Sequence, residues 1–349
     1  MINLLELEPN KVSRDLSSYT NMIYSSPKAG KSTLAYKLFK QEGLFLGFED
    51  GTRALSGAMA IPVTSWNDLV RDKKVEVNGE KVKSPSINKQ LKNPQVKAKF
   101  KVLILDTVDL MYDCAMKYIC EQEGVEDVLD IPYGKGMKMV DELFKGQLLE
   151  WEREGYKLFF ISHSEDKKLT IKDYKGIERE IVKFTPSLHK RAFKIVSKMV
   201  DNIFFAYVKT NEDGMENRVV FTRETNVYFA GSRFKHLPSE LPLDAEEIKR
   251  AISEAIEKEE LVTDEKSLSY GATISLGEVE FESFDEIKSN LIDLVKTKYQ
   301  ANGKMDIVKE VIAKQLGEGK SIGGTTEEDI DALDLIHDFL QNKAVELGL

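Results

Sequence analysis

Residues 19–33 read YTNMIYSSPKAGKST. The apolar run Tyr19–Ser25 predicts a strand, and a helical pattern follows over 31–42. Between them, Ser25-Ser26-Pro27-Lys28-Ala29-Gly30-Lys31-Ser32 fits the phosphate-loop pattern G-x-x-x-x-G-K-[ST], with Ser25 in place of the first glycine. Backbone N–H groups of residues 28–32 can curl around a phosphate at a helix N-terminus, where the dipole favours anions. Lys31 is then expected to be exposed and to reach the β- and γ-phosphates, with the Ser32 hydroxyl on Mg²⁺. Ser26, Pro27, Lys28, Ala29, Gly30, Lys31, Ser32 and Thr33 are the candidate nucleotide-binding residues. The bland alternative is a strand–turn–helix connection that happens to contain a lysine. Placement after an apolar strand and before a helix argues for the loop.

Outward from this loop, strand-like runs recur at Gly43–Glu49, Phe100–Asp106, Lys157–His163, Asp201–Lys209 and Arg218–Arg223. Helical patterns separate them; Met137, Val140, Phe144, Leu148 and Trp151 share one helix face. Strands such as VLILD and LFFIS do not alternate in polarity, which predicts a parallel sheet covered on both faces. The fold class is therefore α/β. Residues 73–83 alternate around Asn78-Gly79, a hairpin signal, and 167–184 read as a second hairpin turning near Tyr174–Gly176. After Pro242 the pattern changes. Residues 244–258 form a charged amphipathic helix, 262–282 a linker or short ribbon, and two further helices open with capping boxes, Ser283 with Glu286 and Thr325 with Glu328. The last carries Ile330, Leu333, Ile336 and Leu340 on one face. The expected division is a core over 1–245, a helix and linker over 246–282, and an acidic helical module over 283–349.

A phosphate loop needs a carboxylate across the site for Mg²⁺, and KVLILD, ending in Asp106, has the form of that strand. The next residue is Thr107, not the glutamate that polarises water in many ATPases. Strand 43–49 ends in Glu49-Asp50. A parallel strand next to the loop strand would carry Glu49 to the γ-phosphate side, with Asp50 the competing choice as general base. Glu49, Asp106 and His163 all close apolar strands, where open α/β sheets bind ligands. His163 is the candidate γ-phosphate sensor.

The segments Ser25–Thr33, LFLGFEDG, VLILDTVD, LFFISHSEDKK, VDNIFFAYV and FAGSRFKHLP together resemble phage-encoded RecA-like ATPases of recombination modules, over roughly residues 15–245. The resemblance implies a RecA-like P-loop NTPase core with a mainly parallel sheet and a small helical C-terminal module. It implies ATP and Mg²⁺ as cofactors and single-stranded DNA as partner. Lys31 and Ser32 match that family's loop, Glu49 its catalytic glutamate, Asp106 its metal-binding aspartate and His163 its sensor. A Lys-x-Arg pattern near the core's end survives only as Arg233, a candidate trans-acting finger.

In RecA-like cores the segment after the sensor strand contacts DNA. Residues 164–191 hold eight Lys/Arg and five Asp/Glu, and Lys167, Lys168, Lys172, Lys175 and Arg179 interleave with Tyr174. Basic groups plus an aromatic suit single strands. Residues 71–101 are more basic, with ten Lys/Arg against three Asp/Glu, so either hairpin is a candidate.

The chain's 349 residues are 42% hydrophobic and 31% charged, which excludes collagen-like and wholly disordered chains. Its net charge of −9 is uneven: residues 246–349 carry 24 acidic and 12 basic groups, so the remainder is mildly basic. An acidic tail beside a basic body competes with DNA phosphates, or docks a single-strand-binding or replication protein. Two cysteines, Cys114 and Cys120, are too few for a disulfide framework, and neither a signal peptide nor a membrane span is expected. The expected location is cytoplasmic, in a bacterial host if the chain is phage-encoded. The expected activity is ATP-dependent single-stranded DNA binding in annealing or recombination by a homo-oligomer, ring or filament. The alternatives are a helicase loader or replication remodeller acting on a protein, and a nucleotide switch with little turnover.

Overall fold

Apolar runs become strands where they leave the phosphate-loop region, and the sheet they build decides which side chains meet. The computed structural model describes residues 12–77, 80–172, 178–210, 214–262 and 284–348. In chain order the strands are β1 Asn21–Ser25, β2 Gly43–Gly47, β3 Met59–Pro62, β4 Lys73–Val77, β5 Glu80–Ser84, β6 Val102–Asp106, β7 Lys157–Lys172, β8 Glu178–Pro186, β9 Asn202–Thr210, β10 Glu216–Phe221, β11 Gly231–Ser232 and β12 Glu240–Pro242. The α-helices are α1 Lys31–Phe39, α2 Trp66–Val70, α3 Ile87–Leu91, α4 Pro94–Lys99, α5 Val108–Glu123, α6 Lys135–Arg153, α7 Lys190–Met199, α8 Ala245–Val262, α9 Phe284–Leu294, α10 Met305–Leu316 and α11 Ile330–Leu347.

The main sheet runs β12-β10-β9-β1-β7-β6-β2-β3. From β9 to β3 every pairing is parallel, and β10 and β12 add an antiparallel edge. The α/β class is thus observed, with a mostly parallel sheet. Strands β1 and β6 are buried along their whole length, as their unalternated apolar sequences require. One finding departs from expectation. β2 does not lie next to the loop strand β1: β7 and β6 intervene, and β2 pairs with β6. β7 also runs well past His163. It continues to Lys172 and pairs with β8 as an antiparallel ribbon, from Ser164↔Pro186 to Lys172↔Glu178.

Two compact units emerge, one of Met1–Cys114 with Lys145–Glu278, the other of Ala115–Phe144 with Val279–Leu349. The expected boundary at 245 falls inside the first unit. The reason is apolar burial: Ile248, Ala251, Ile252, Ala255 and Ile256 of α8 share one core cluster with Leu34, Ala35 and Leu38 of α1. In the second unit Ile287, Leu291, Tyr299, Leu333, Ile336 and Leu340 form the centre, and the Tyr299 hydroxyl donates to Leu340 O at 2.6 Å. Gln315 Nε2 donates to Leu129 O at 2.8 Å, tying α10 to the 115–144 segment. Of the two expected capping boxes, the later one forms one residue on, with Thr326 and Asp329, ahead of α11. Ser283 and the 263–283 linker lie outside the described residues. No helix among the described residues is long and apolar enough to cross a membrane.

Candidate active site at the phosphate loop

β1 ends at buried Ser25, and the chain then turns through Ser26–Gly30 into α1. Left-handed backbone occurs at Lys28 (φ 64°) and Gly30 (φ 105°), not at Ser25. The serine in place of the first glycine therefore costs no backbone strain, whereas Gly30 sits in a region that a Cβ disfavours. Ser26, Pro27, Lys28 and Thr33 are exposed and Ala29 is buried, and the first-turn N–H groups of a helix, which have no acceptor within the helix, are the donors such a turn offers an anion.

Lys31 is not exposed, as the sequence reading expected, but only 6% accessible. Its Nζ donates to Ser25 O and Ser26 O, each at 3.1 Å, so the loop's own carbonyls hold the ammonium over the turn. Burial lowers its pKa, and the nearby Asp106, Glu49 and Asp109 carboxylates oppose that shift.

Opposite the loop, Ser32 Oγ donates to Asp106 Oδ2 at 2.7 Å. Asp106 is fully buried, and its Oδ1 has no hydrogen-bond partner among the described residues. Burial raises its pKa; the Ser32 hydrogen bond pulls it back, and the Glu49 charge adds to the rise. An orphaned carboxylate oxygen beside a serine hydroxyl is a fitting donor pair for a hard divalent cation. Gly51 leaves room there, because a Cβ on it would stand 3.0 Å from Asp106 Oδ2.

Glu49 reaches the same place from the end of β2, which two strands, β7 and β6, separate from β1. The N–H groups of Phe48 and Glu49 both donate to Asp106 O, at 2.7 and 3.1 Å, and fold the end of β2 over that of β6. Glu49 Oε2 then lies 3.5 Å from His163 Nε2, while His163 Nδ1 lies 3.4 Å from Lys31 Nζ. Asp50 instead pairs with Arg53 at 2.5 Å, where both side chains are largely exposed.

Arg233 is not brought to the site. β11 pairs with the first residues of β9, and Arg233 Nε lies 3.4 Å from Asp201 Oδ1. Asp201 also accepts from Thr20 N at 2.9 Å, just before β1, so this pair marks the end of the sheet opposite the phosphate loop. Of the ribbon candidates, Lys167 and Lys168 are exposed, and Lys167 pairs with Glu165 at 3.0 Å. Lys172 and Arg179 lie on β7 and β8, and Tyr174 and Lys175 lie outside the described residues.

Sequence reasoning passed over Asp109. Its Oδ1 accepts from Ser162 Oγ at 3.1 Å and from Ser187 Oγ at 2.7 Å, while Ser187 N donates to His163 O at 2.8 Å. The two legs of the ribbon are thus pinned at their base to the start of α5. The signal was present in DTVD, which sets a second carboxylate three residues past Asp106. Gly51 and Arg218, described below, carry no comparable signal.

Sheet order, loop and acidic wall define a P-loop NTPase. Residues 17–234 match the AAA_24 family, described as AAA domain. This covers more than half of the chain, and the chain belongs to that family. It is 28% identical over 361 aligned residues, 99% of each chain, to the SPbeta prophage-derived uncharacterized protein YorG of Bacillus subtilis (strain 168). Two solved structures are also similar. The KaiC-like protein PH0186 of Pyrococcus horikoshii OT3 matches 64% of this chain and 85% of its own, at 13% identity and a TM-score of 0.34. The flagellar accessory protein FlaH of Methanocaldococcus jannaschii matches 64% and 84%, at 9% identity and a TM-score of 0.29.

Proposed function

We propose that the protein hydrolyses ATP with Mg²⁺ and couples this to binding single-stranded DNA, on which copies of the chain assemble to promote annealing or strand pairing. The observation that carries this reading is the course of β7. One continuous strand leaves the sheet, passes His163 beside Lys31 and Glu49, and becomes the basic ribbon. A γ-phosphate at the loop and a nucleic acid on the ribbon would therefore act on the same backbone.

Lys31 and the α1 N-terminus bind and orient the phosphates, and Ser32 and Asp106 hold the cation. When bound, Mg²⁺ neutralises charge on the β- and γ-phosphate oxygens. Glu49 accepts the proton of the attacking water, which gives ADP and inorganic phosphate, and His163 orients Glu49 against Lys31. The ribbon is favoured over the 71–101 run because it continues the strand that carries His163. Lysines of both segments pair with carboxylates, Lys73 and Lys89 in the one and Lys167 and Lys183 in the other, so ion pairing does not separate them.

ATP turnover measured with and without single-stranded DNA, alongside electron microscopy of the mixture, tests the reading. DNA-stimulated turnover on ordered assemblies is expected. Turnover raised only by a partner helicase would replace it with a loader role, which the AAA domain match also accommodates.

A further inference from the structure

The phosphate loop has two flanks. β7, β6 and β2 lie on one side of β1 and bring His163, Asp106 and Glu49; β9 and β10 lie on the other. On that second flank, Arg218 of β10 lies two residues before Val220, which is buried in the core shared with α1 and α8. The period of two puts Arg218 on the α1 face. A Cβ on Gly30 would stand 3.5 Å from Arg218 Nη1 and 3.5 Å from Leu243 Cδ2, so the guanidinium lies over the turn that opens α1. Leu243 N donates to Arg218 O at 2.9 Å, which fixes the strand at this point. The neighbouring arginines are committed elsewhere: Arg233 to Asp201, and Arg223 to the carbonyls of Ser232 and Lys235. No carboxylate among the described residues pairs with Arg218.

We propose that Arg218 binds, within the same chain, the phosphate nearest the nucleoside of a nucleotide held by the loop. The inference rests on the reading of the loop as a nucleotide site. Glu49 and His163 mark the flank that takes the terminal phosphate, so the nucleoside end of the ligand extends toward β9 and β10. An arginine there donates charge-assisted hydrogen bonds to α-phosphate oxygens in a planar fork. ADP and ATP both carry that phosphate. The contact is uniform binding, felt in affinity and KM more than in kcat.

Binding of ADP and of the non-hydrolysable analogue adenylyl imidodiphosphate to the full chain decides the matter, with Arg218→Ala, Arg218→Lys and Lys31→Ala measured in parallel. Arg218→Ala should weaken both ligands alike, by about 10-fold or more, the scale of one lost hydrogen bond to a charged group. KM should rise to match, and Arg218→Lys should recover part of the loss. Unchanged ADP affinity overturns the proposal, as does a loss confined to the analogue, which would place Arg218 at the terminal phosphate. If wild type binds, Lys31→Ala does not, and Arg218→Ala matches wild type, only the Arg218 assignment falls. If wild type binds neither ligand, the nucleotide reading of the loop falls and Arg218 with it.

Discussion

Glu49 and His163 lie 3.5 Å apart although Glu49 follows β2 and His163 lies within β7, strands that are not neighbours and have β6 between them. The contact exists because the end of β2 folds over Asp106, held by two backbone N–H groups on one carbonyl. Glu49 is thereby fixed against a ring whose other nitrogen faces Lys31. A carboxylate placed in this way is poised to take a proton from a water at the phosphate side of the loop.

Glu49→Gln should bind ATP with near wild-type affinity and lose turnover by roughly 10²–10⁴-fold, because the amide holds a water but accepts no proton. Asp50→Asn should turn over normally, since Asp50 is engaged with Arg53 at the surface. Single-turnover hydrolysis of both variants checks this. Normal turnover in Glu49→Gln with loss in Asp50→Asn would transfer the role.

Lys31→Ala should abolish hydrolysis while the far-UV spectrum and the cooperative melt persist. Lys31 is buried, but its Nζ contacts are to loop carbonyls rather than to core side chains. Ser26 is exposed, so its carbonyl can exchange the ammonium for water, whereas Ser25 is buried and its carbonyl carries most of the cost. Hydrolysis near the wild-type rate would end the phosphate-loop assignment.

Much of this site is legible in the sequence because each of its parts is local. Ser25–Thr33 is one turn, Asp106 closes one apolar run, and Glu49 and His163 close two others. What was not legible is set by strand order. The position of β2 beyond β6, the end of the sheet to which Arg233 belongs, and the arrival of Arg218 over Gly30 depend on pairings distant in sequence. Burial of Lys31 was missed for a related reason: the carbonyls that bind it come from the loop's own conformation. The packing of α8 on α1 was not legible because a charge pattern marks the surface of α8 but not the apolar stripe beneath it.

Asp109 gives a pH test. Burial holds its carboxyl above the ordinary value of 3.8, and the Ser187 and Ser162 hydroxyls only partly offset this. The folded state thus binds this proton more tightly than the unfolded chain. The stability it contributes is fully present below 3.8 and is lost as pH rises through the folded value. Asp109→Asn keeps an oxygen acceptor for both hydroxyls and removes the titration. The variant should melt above wild type near about pH 7, and the gap should close toward about pH 4. A gap independent of pH would refute this.

The ribbon gives a salt test. Lys167 and Lys168 are exposed and point to opposite faces of β7. If both contact phosphates, the double alanine variant should bind single-stranded DNA more weakly and lower the salt slope by about 1.4, at about 0.7 per phosphate contact. Weaker binding with an unchanged slope would mean that they act through folding of the ribbon instead.

The remaining prediction concerns α8, whose acidic surface invites removal of everything after residue 245 as a test of competition with DNA. Ile248 and Ile252 are fully buried, and Ala255 and Ile256 are 3% exposed, in the cluster that also holds Leu34 and Leu38 of α1. Because α1 follows directly from the phosphate loop, the helix that presents Lys31 and Ser32 rests on α8. Ile252→Ala should cost about 2–5 kcal/mol, the range for a large-to-small change in a packed core. A chain ending at 245 loses all these side chains at once and should show no cooperative melt at the wild-type temperature. Any change in its DNA binding would then mix loss of acidic charge with loss of the α1 support. Thermal melts of Ile252→Ala and of the 1–245 truncation decide this, and a truncation that melts cooperatively near the wild-type temperature would show that α8 is dispensable to the core.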